Sequence, residues 1–143
     1  MKLFTFITAI LTTLILQAQD PAISWQKSYG GSNDDEVSSI QQTTDGGYIL
    51  AGTSSSTDGD VTGNHGEADY WIVKLNSTGN ISWQKSYGGS NSDWISAIQQ
   101  TTDGGYIVAG SSMSTDGDVN GNHGDADYWI VKLNSTGNIM WQK

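Results

Sequence analysis

The sequence predicts an all-β protein made of two four-stranded antiparallel, blade-like repeats, and three observations lead there. Residues 23–80 return as residues 81–138 with 49 of 58 positions identical, and Ile139-Met140-Trp141-Gln142-Lys143 opens a further copy. Inside each copy the apolar clusters are short, rich in aromatic and β-branched residues, and separated by glycine-containing turn sequences. Nothing in the repeat sustains a helical period. A unit reused this faithfully seldom buries its apolar faces without neighbours, so the copies are expected to stack.

The elements follow in order. The first strand falls at Glu36 to Gln42 and carries Val37 and Ile40. Thr43-Thr44-Asp45-Gly46-Gly47 then reads as a hairpin turn, because Asp-Gly and Gly-Gly reach positive φ at little steric cost. A second strand, Tyr48 to Gly52, is followed by a long polar loop from Thr53 to Glu67. In the third strand, Ala68 to Leu75, alternation puts Trp71, Val73 and Leu75 on one face and Tyr70 and Ile72 on the other. Asn76-Ser77-Thr78-Gly79-Asn80 turns the chain into the fourth strand, Ile81 to Tyr87.

Strands two and three are apolar on both faces, which predicts a sheet covered on both sides. Four antiparallel strands between copies of themselves describe the blade of a β-propeller, here an incomplete one, since two blades fall short of the roughly four to eight that close a ring. A β-sandwich of two such sheets is the alternative. Ile23 to Tyr29 copies the fourth strand ahead of the first full unit, so the chain reads as part of a longer array or as a unit that self-associates through open sheet faces.

Composition narrows the setting. Met1-Lys2 followed by the apolar run Leu3 to Leu16 and then Gln17-Ala18 has the layout of a secretory signal peptide over residues 1–18, too short for a membrane span. The remaining chain is expected to be secreted or held at the cell surface, without membrane insertion. There is no cysteine and no arginine, and the formal net charge of −9 disfavours nucleic acid and anionic surfaces while favouring cations.

The motif Trp-Gln-Lys-Ser-Tyr-Gly-Gly-Ser at 25–32 and 83–90 is accompanied by Asp-Gly-Gly-Tyr-Ile at 45–49 and 103–107, and by Asp-Tyr-Trp-Ile-Val-Lys-Leu at 69–75 and 127–133. Together these motifs resemble those of secreted bacterial propeller-like repeat proteins, many of which end in a sorting domain for type IX secretion. The resemblance spans residues 23–143 and implies an extracellular repeat architecture; it implies little about activity. The chain departs from that pattern in having few repeats and no sorting domain.

The strongest candidate for chemistry is the loop Asp58 to Asp69 and its copy Asp116 to Asp127. Within each loop oxygen side chains fall at positions 1, 3 and 5, glycine at 6 and a carboxylate at 12, a spacing suited to a hard cation such as calcium. The expected ligands are Asp58, Asp60, Thr62, the Asn64 carbonyl and Asp69, matched by Asp116, Asp118, Asn120, the Asn122 carbonyl and Asp127. A glycine- and aspartate-rich loop whose carboxylates cap turns is the plainer reading. His65 and His123, one per unit, are read as turn residues rather than zinc ligands.

Trp25, Trp83, Trp141, Trp71 and Trp129 recur with the period and are expected to pack between blades. Trp94 replaces Glu36 of the first copy and is the candidate glycan or partner contact. Asp34-Asp35-Glu36 becomes Ser92-Asp93-Trp94, a variation that reads as a solvated loop rather than an acid–base pair. No catalytic residue is assigned. The sequence therefore points to an exported, non-enzymatic repeat module serving as scaffold or binding surface, with a carbohydrate-binding module as the alternative.

Overall fold

The computed structural model describes residues 21–143, which form eight strands and no helix. The expected signal peptide lies outside the described residues. Strands β1 (Asp35–Gln42), β2 (Tyr48–Ser54), β3 (Asp69–Leu75) and β4 (Ile81–Tyr87) form one antiparallel sheet in that order. Strands β5 (Asp93–Gln100), β6 (Tyr106–Ser112), β7 (Asp127–Leu133) and β8 (Ile139–Gln142) form the second in the same way. Neither sheet closes into a barrel. The first strand of each sheet starts one residue earlier than the sequence suggested, at the aspartate of the varied triplet.

The turns form by the expected chemistry. The Thr43 N–H donates to the Gly47 carbonyl at 2.9 Å, and Gly46 adopts a φ of 80° that a β-carbon would oppose. Asp45 Oδ1 accepts from the Gly47 N–H at 3.0 Å and the Thr43 hydroxyl at 2.5 Å, locking the hairpin. At the β3–β4 connection Asn76 Oδ1 accepts from the N–H groups of Thr78 and Asn80, at 3.0 and 2.9 Å. The side chain of each Asn-Ser-Thr triplet is thus turned inward on its own loop, and the 134–138 turn repeats the arrangement.

The sheets stack face to back. Tyr70, Ile72, Ile49 and Ala51 of the first sheet share a core with Ile95, Ile98, Tyr106, Val108, Trp129, Val131 and Leu133 of the second. These come from opposite faces of the repeat unit: Tyr70 and Ile72 on one sheet meet the counterparts of Trp71, Val73 and Leu75 on the other. A two-layer sandwich would bury one face per sheet. Here the first sheet buries both, since Trp71, Val73, Leu75 and Val61 form a second core with Tyr29, Tyr48, Leu50 and Ile81. Blade stacking accounts for that and a sandwich does not.

Polar contacts set the register between the sheets. The Tyr70 hydroxyl donates to the Trp129 carbonyl at 3.2 Å while the two rings lie 4.7 Å apart. The Asp93 N–H donates to the Ala68 carbonyl at 2.6 Å, and the Gln100 N–H to Gln41 Oε1 at 2.8 Å. Each fully buried aliphatic or aromatic side chain contributes roughly 1.5–3 kcal/mol, against about 1 kcal/mol net for a hydrogen bond, so apolar burial dominates the junction and the polar contacts align it.

Residues 23–29, expected as a copy of the fourth strand, form no strand, because no sheet runs beside them to pair with. They dock nonetheless as β4 does. Trp25 meets Tyr48 edge-on at 5.9 Å, as Trp83 meets Tyr106 at 6.0 Å. The Tyr29 hydroxyl donates to the Gly79 carbonyl at 2.5 Å, as Tyr87 does to Gly137 at 2.6 Å. The segment behaves as the outer strand of a blade preceding the first.

Candidate functional site

The long loops divide their polar side chains among separate tasks. Asp58 Oδ1 accepts from the Ser32 N–H at 2.7 Å, and Asp60 Oδ2 from the Gly30 N–H at 3.2 Å. Asp116 and Asp118 repeat this with Ser90 at 2.7 Å and Gly88 at 3.4 Å. These contacts staple each loop to the Tyr-Gly-Gly-Ser segment that leads into its own blade. Thr62 turns elsewhere: its hydroxyl accepts from Gln84 Nε2 at 2.5 Å and its carbonyl from the Ser86 hydroxyl at 3.1 Å, both on β4.

Asn64 and Asn122 brace the loops internally. Asn64 Nδ2 donates to the Ser54 carbonyl at 3.0 Å and Asn122 Nδ2 to the Ser112 carbonyl at 2.9 Å. Asp69 and Asp127 close the loops by accepting from a histidine four residues back. Asp69 Oδ2 takes the His65 N–H at 2.6 Å and faces Nδ1 at 2.8 Å; Asp127 Oδ2 takes the His123 N–H at 2.6 Å and faces Nδ1 at 3.0 Å. Thus Asp58, Asp60, Thr62, Asn64 and Asp69 each turn to a different partner, and in the second loop Asn120 lines a surface pocket with Asn122, His123 and Asp127. Among the described residues no group of three or more His, Asp or Glu side chains converges to hold a metal ion. In this fold the loop carboxylates act as caps for backbone N–H groups.

Of the periodic tryptophans expected to pack between blades, Trp129 and Trp83 lie in the core shared by the two sheets and Trp71 packs with Tyr29 on the outer face of the first, whereas Trp25 and Trp141 are exposed. Trp71 and Trp129 are buried, and their ring N–H groups donate to Gln84 at 2.8 Å and Gln142 at 2.9 Å. Trp94 is partly exposed on β5, the edge strand of its sheet. No aromatic neighbour joins it in a stacking platform among the described residues.

One site escaped the sequence reading. The triplet 34–36 was expected to be a solvated loop, yet its middle aspartate starts the first strand of each blade and points inward. Asp35 is held by the Gly31 N–H at 2.7 Å and the hydroxyls of Ser54 at 2.5 Å and Ser56 at 3.1 Å. Asp93 is buried at the junction, where its Oδ2 accepts from the Gly89 N–H at 2.8 Å and the Ser114 hydroxyl at 3.0 Å. The signal was present: of the three positions only the aspartate survives the duplication.

Asp93 lies beside Asp69 of the preceding blade. A β-carbon on Gly88 would come within 2.4 Å of both Asp69 Oδ1 and Asp93 Oδ2, so those oxygens are no further apart than twice that distance. Burial pushes the Asp69 carboxyl above the ordinary carboxylate range, the His65 N–H groups oppose that shift, and the Asp93 charge adds to it. Asp127 has no following blade, and its two hydrogen bonds from His123 lower its pKa instead.

The two ends of the stack expose the faces that the junction covers. On β7, Tyr128 is 92% and Ile130 38% exposed, while their copies Tyr70 and Ile72 are fully buried. On β1, Val37 and Ile40 are each 61% exposed, while Ile95 and Ile98 are buried. Val37 and Ile40 border an apolar groove of about 340 Å³, floored by Leu50, Trp71 and Val73 and flanked by Trp25. Comparison with protein-family models and with curated proteins finds no match for this chain.

Proposed function

We propose that this chain is an exported, non-enzymatic repeat module whose blades stack head to tail into an extracellular scaffold, its free faces taking further blades of the same kind. One observation carries the reading: the Tyr128–Ile130 face and the Val37–Ile40 groove are the two halves of the internal junction, each without its partner. The chemistry of a fitting occupant is therefore written in the chain. The groove suits a Tyr-x-Ile strand, and the β7 face suits an Ile-and-Trp-lined sheet. Such a contact joins unlike faces, so it propagates or closes a ring rather than stopping at a pair. The alternation of acidic loops with a buried apolar spine suits a durable, soluble outer surface.

Sedimentation of residues 19–143 over a range of concentrations tests this. The expected result is concentration-dependent association that Tyr128→Lys abolishes without lowering thermal stability. A monomer at every concentration, or association that Tyr128→Lys leaves intact, would overturn the head-to-tail contact.

A further inference from the structure

The junction between the blades holds an unpaired electrostatic feature that stacking alone does not explain. Asp69 and Asp93 are both fully buried, and each keeps one oxygen, Oδ1, without a hydrogen-bond partner. Native proteins rarely leave buried polar atoms unpaired, and a buried charge without a counter-charge is costlier still. The donors around the pair all serve the opposite oxygens. His65 supplies two N–H groups to Asp69 Oδ2, and Gly89 and Ser114 supply theirs to Asp93 Oδ2. The His65 N–H groups oppose the rise in the Asp69 pKa that burial causes, without cancelling it. The first blade shows the contrast: with no blade before it, Asp35 has both oxygens satisfied, Oδ1 by Ser54 and Oδ2 by Gly31 and Ser56.

We infer that Asp69 and Asp93 together bind a hard divalent cation, calcium or magnesium, at the blade junction. Two carboxylates from successive blades neutralise its charge, and carbonyl or water oxygens complete a shell that such ions accept. Gly88 is required there because any side chain would occupy the space between the carboxylates. His65 is a positioning residue: by donating to Asp69 Oδ2 it leaves Oδ1 turned to the ion. Neither blade contains this site alone, so the ion would couple the stacking of the repeats to the cation content of the surroundings. The inference depends on the stacked sheets and not on the proposed scaffold role, and it places the ion away from the loop positions Asp58, Asp60, Asp116 and Asp118.

Thermal unfolding of residues 19–143 in EDTA, in millimolar calcium chloride and in millimolar magnesium chloride tests it, at concentrations where the chain is monomeric. The expected result is a rise of several degrees with one or both ions. Asp93→Asn and Asp69→Asn should each abolish that rise, while Asp127→Asn and the pair Asp58→Asn with Asp116→Asn should keep it. The larger of the calcium and magnesium shifts identifies the preferred ion. A melting point indifferent to both ions overturns the site, as does a rise that survives in both junction variants. Stabilisation by acid alone, without any cation effect, would mean a shared proton and would overturn it too. Should the junction variants fail to fold, carboxylate carbon NMR of the wild-type chain decides. Movement of both Asp69 and Asp93 signals on adding either ion supports the site, and unmoved signals refute it.

Discussion

Asp69–Leu75 and Asp127–Leu133 are the same seven residues in the same strand of two sheets, yet they live in different surroundings. Every residue of β3 is buried, whereas β7 buries Trp129, Val131 and Leu133 and exposes Tyr128 and Ile130. Sequence is shared, so the difference comes from the neighbours: β3 has the second sheet against one face and the segment carrying Tyr29 against the other, whereas β7 has a sheet against one face alone. The molecule therefore contains its own control experiment. What a blade buries is decided by what lies against it, and what a blade is, by its turns and strand pairing.

The largest effect is expected from the aromatic at the centre of the junction. Tyr70→Ala should cost about 3–5 kcal/mol in urea unfolding, since it removes a buried ring and its bond to Trp129. The same change at Tyr128 should stay within about 0.5 kcal/mol in the monomer, because that ring is exposed. Equal losses at the two positions would break the comparison.

A second pair is Ile98→Ala against Ile40→Ala. The first removes a buried side chain and should cost about 2–4 kcal/mol; the second trims an exposed one and should cost under about 1 kcal/mol. Here the sheets exchange roles, because it is the first blade that lacks a neighbour on this face.

Titration sharpens the contrast without mutation. In EDTA, carboxylate NMR should find Asp69 protonating above the usual aspartate range and Asp127 below it. The signs for stability are opposite. A raised pKa means the folded state binds the proton more tightly, so Asp69 opposes folding increasingly as pH rises through its folded value. A lowered pKa means the Asp127 contribution is present above the unfolded value and lost as pH falls through the folded one. Matching titrations would say that the second blade does not bury Asp69.

The smallest effect should be the same in both blades. Asp45 and Asp103 each cap their hairpin and meet the lysine on the third strand at 2.9 Å, and both pKa values are lowered, first by the threonine hydroxyl and next by the lysine. Asp45→Ala and Asp103→Ala should lower the melting temperature by equal, small amounts at neutral pH. In the wild-type chain both contributions should fade in strong acid, below the ordinary carboxylate range. Unequal losses would mean that blade position reaches even the turns.

The strands and turns were legible in the sequence because their causes are local. Alternation at Trp71, Val73 and Leu75 opposite Tyr70 and Ile72 gave two faces, and Asp-Gly-Gly gave the hairpin. That both faces would be covered was also readable, since neither alternates with polar residues. The candidate site was less legible. The calcium-like spacing at Asp58, Asp60, Thr62 and Asp69 is real as spacing. In three dimensions, though, Asp58 and Asp60 cap the strand-leading segment, Thr62 meets Gln84, and Asp69 turns to the next blade. Spacing along a loop cannot tell which backbone N–H groups will lie within reach. Asp93 was hidden for the opposite reason: its partner belongs to another repeat, and its flanking residues vary. Proximity across a junction leaves no trace in local pattern, only in the persistence of one aspartate between changed neighbours.

The central claim is that identical strands differ because one is covered by a following blade. Tyrosine nitration of the dilute, monomeric chain reads this directly, because the tryptic peptides 28–74 and 86–132 differ at nine positions and fragmentation locates the nitrated tyrosine in each. The account predicts rapid modification of Tyr128 and protection of Tyr70 until the chain unfolds. Equal reactivity of the two tyrosines in the folded chain would contradict it.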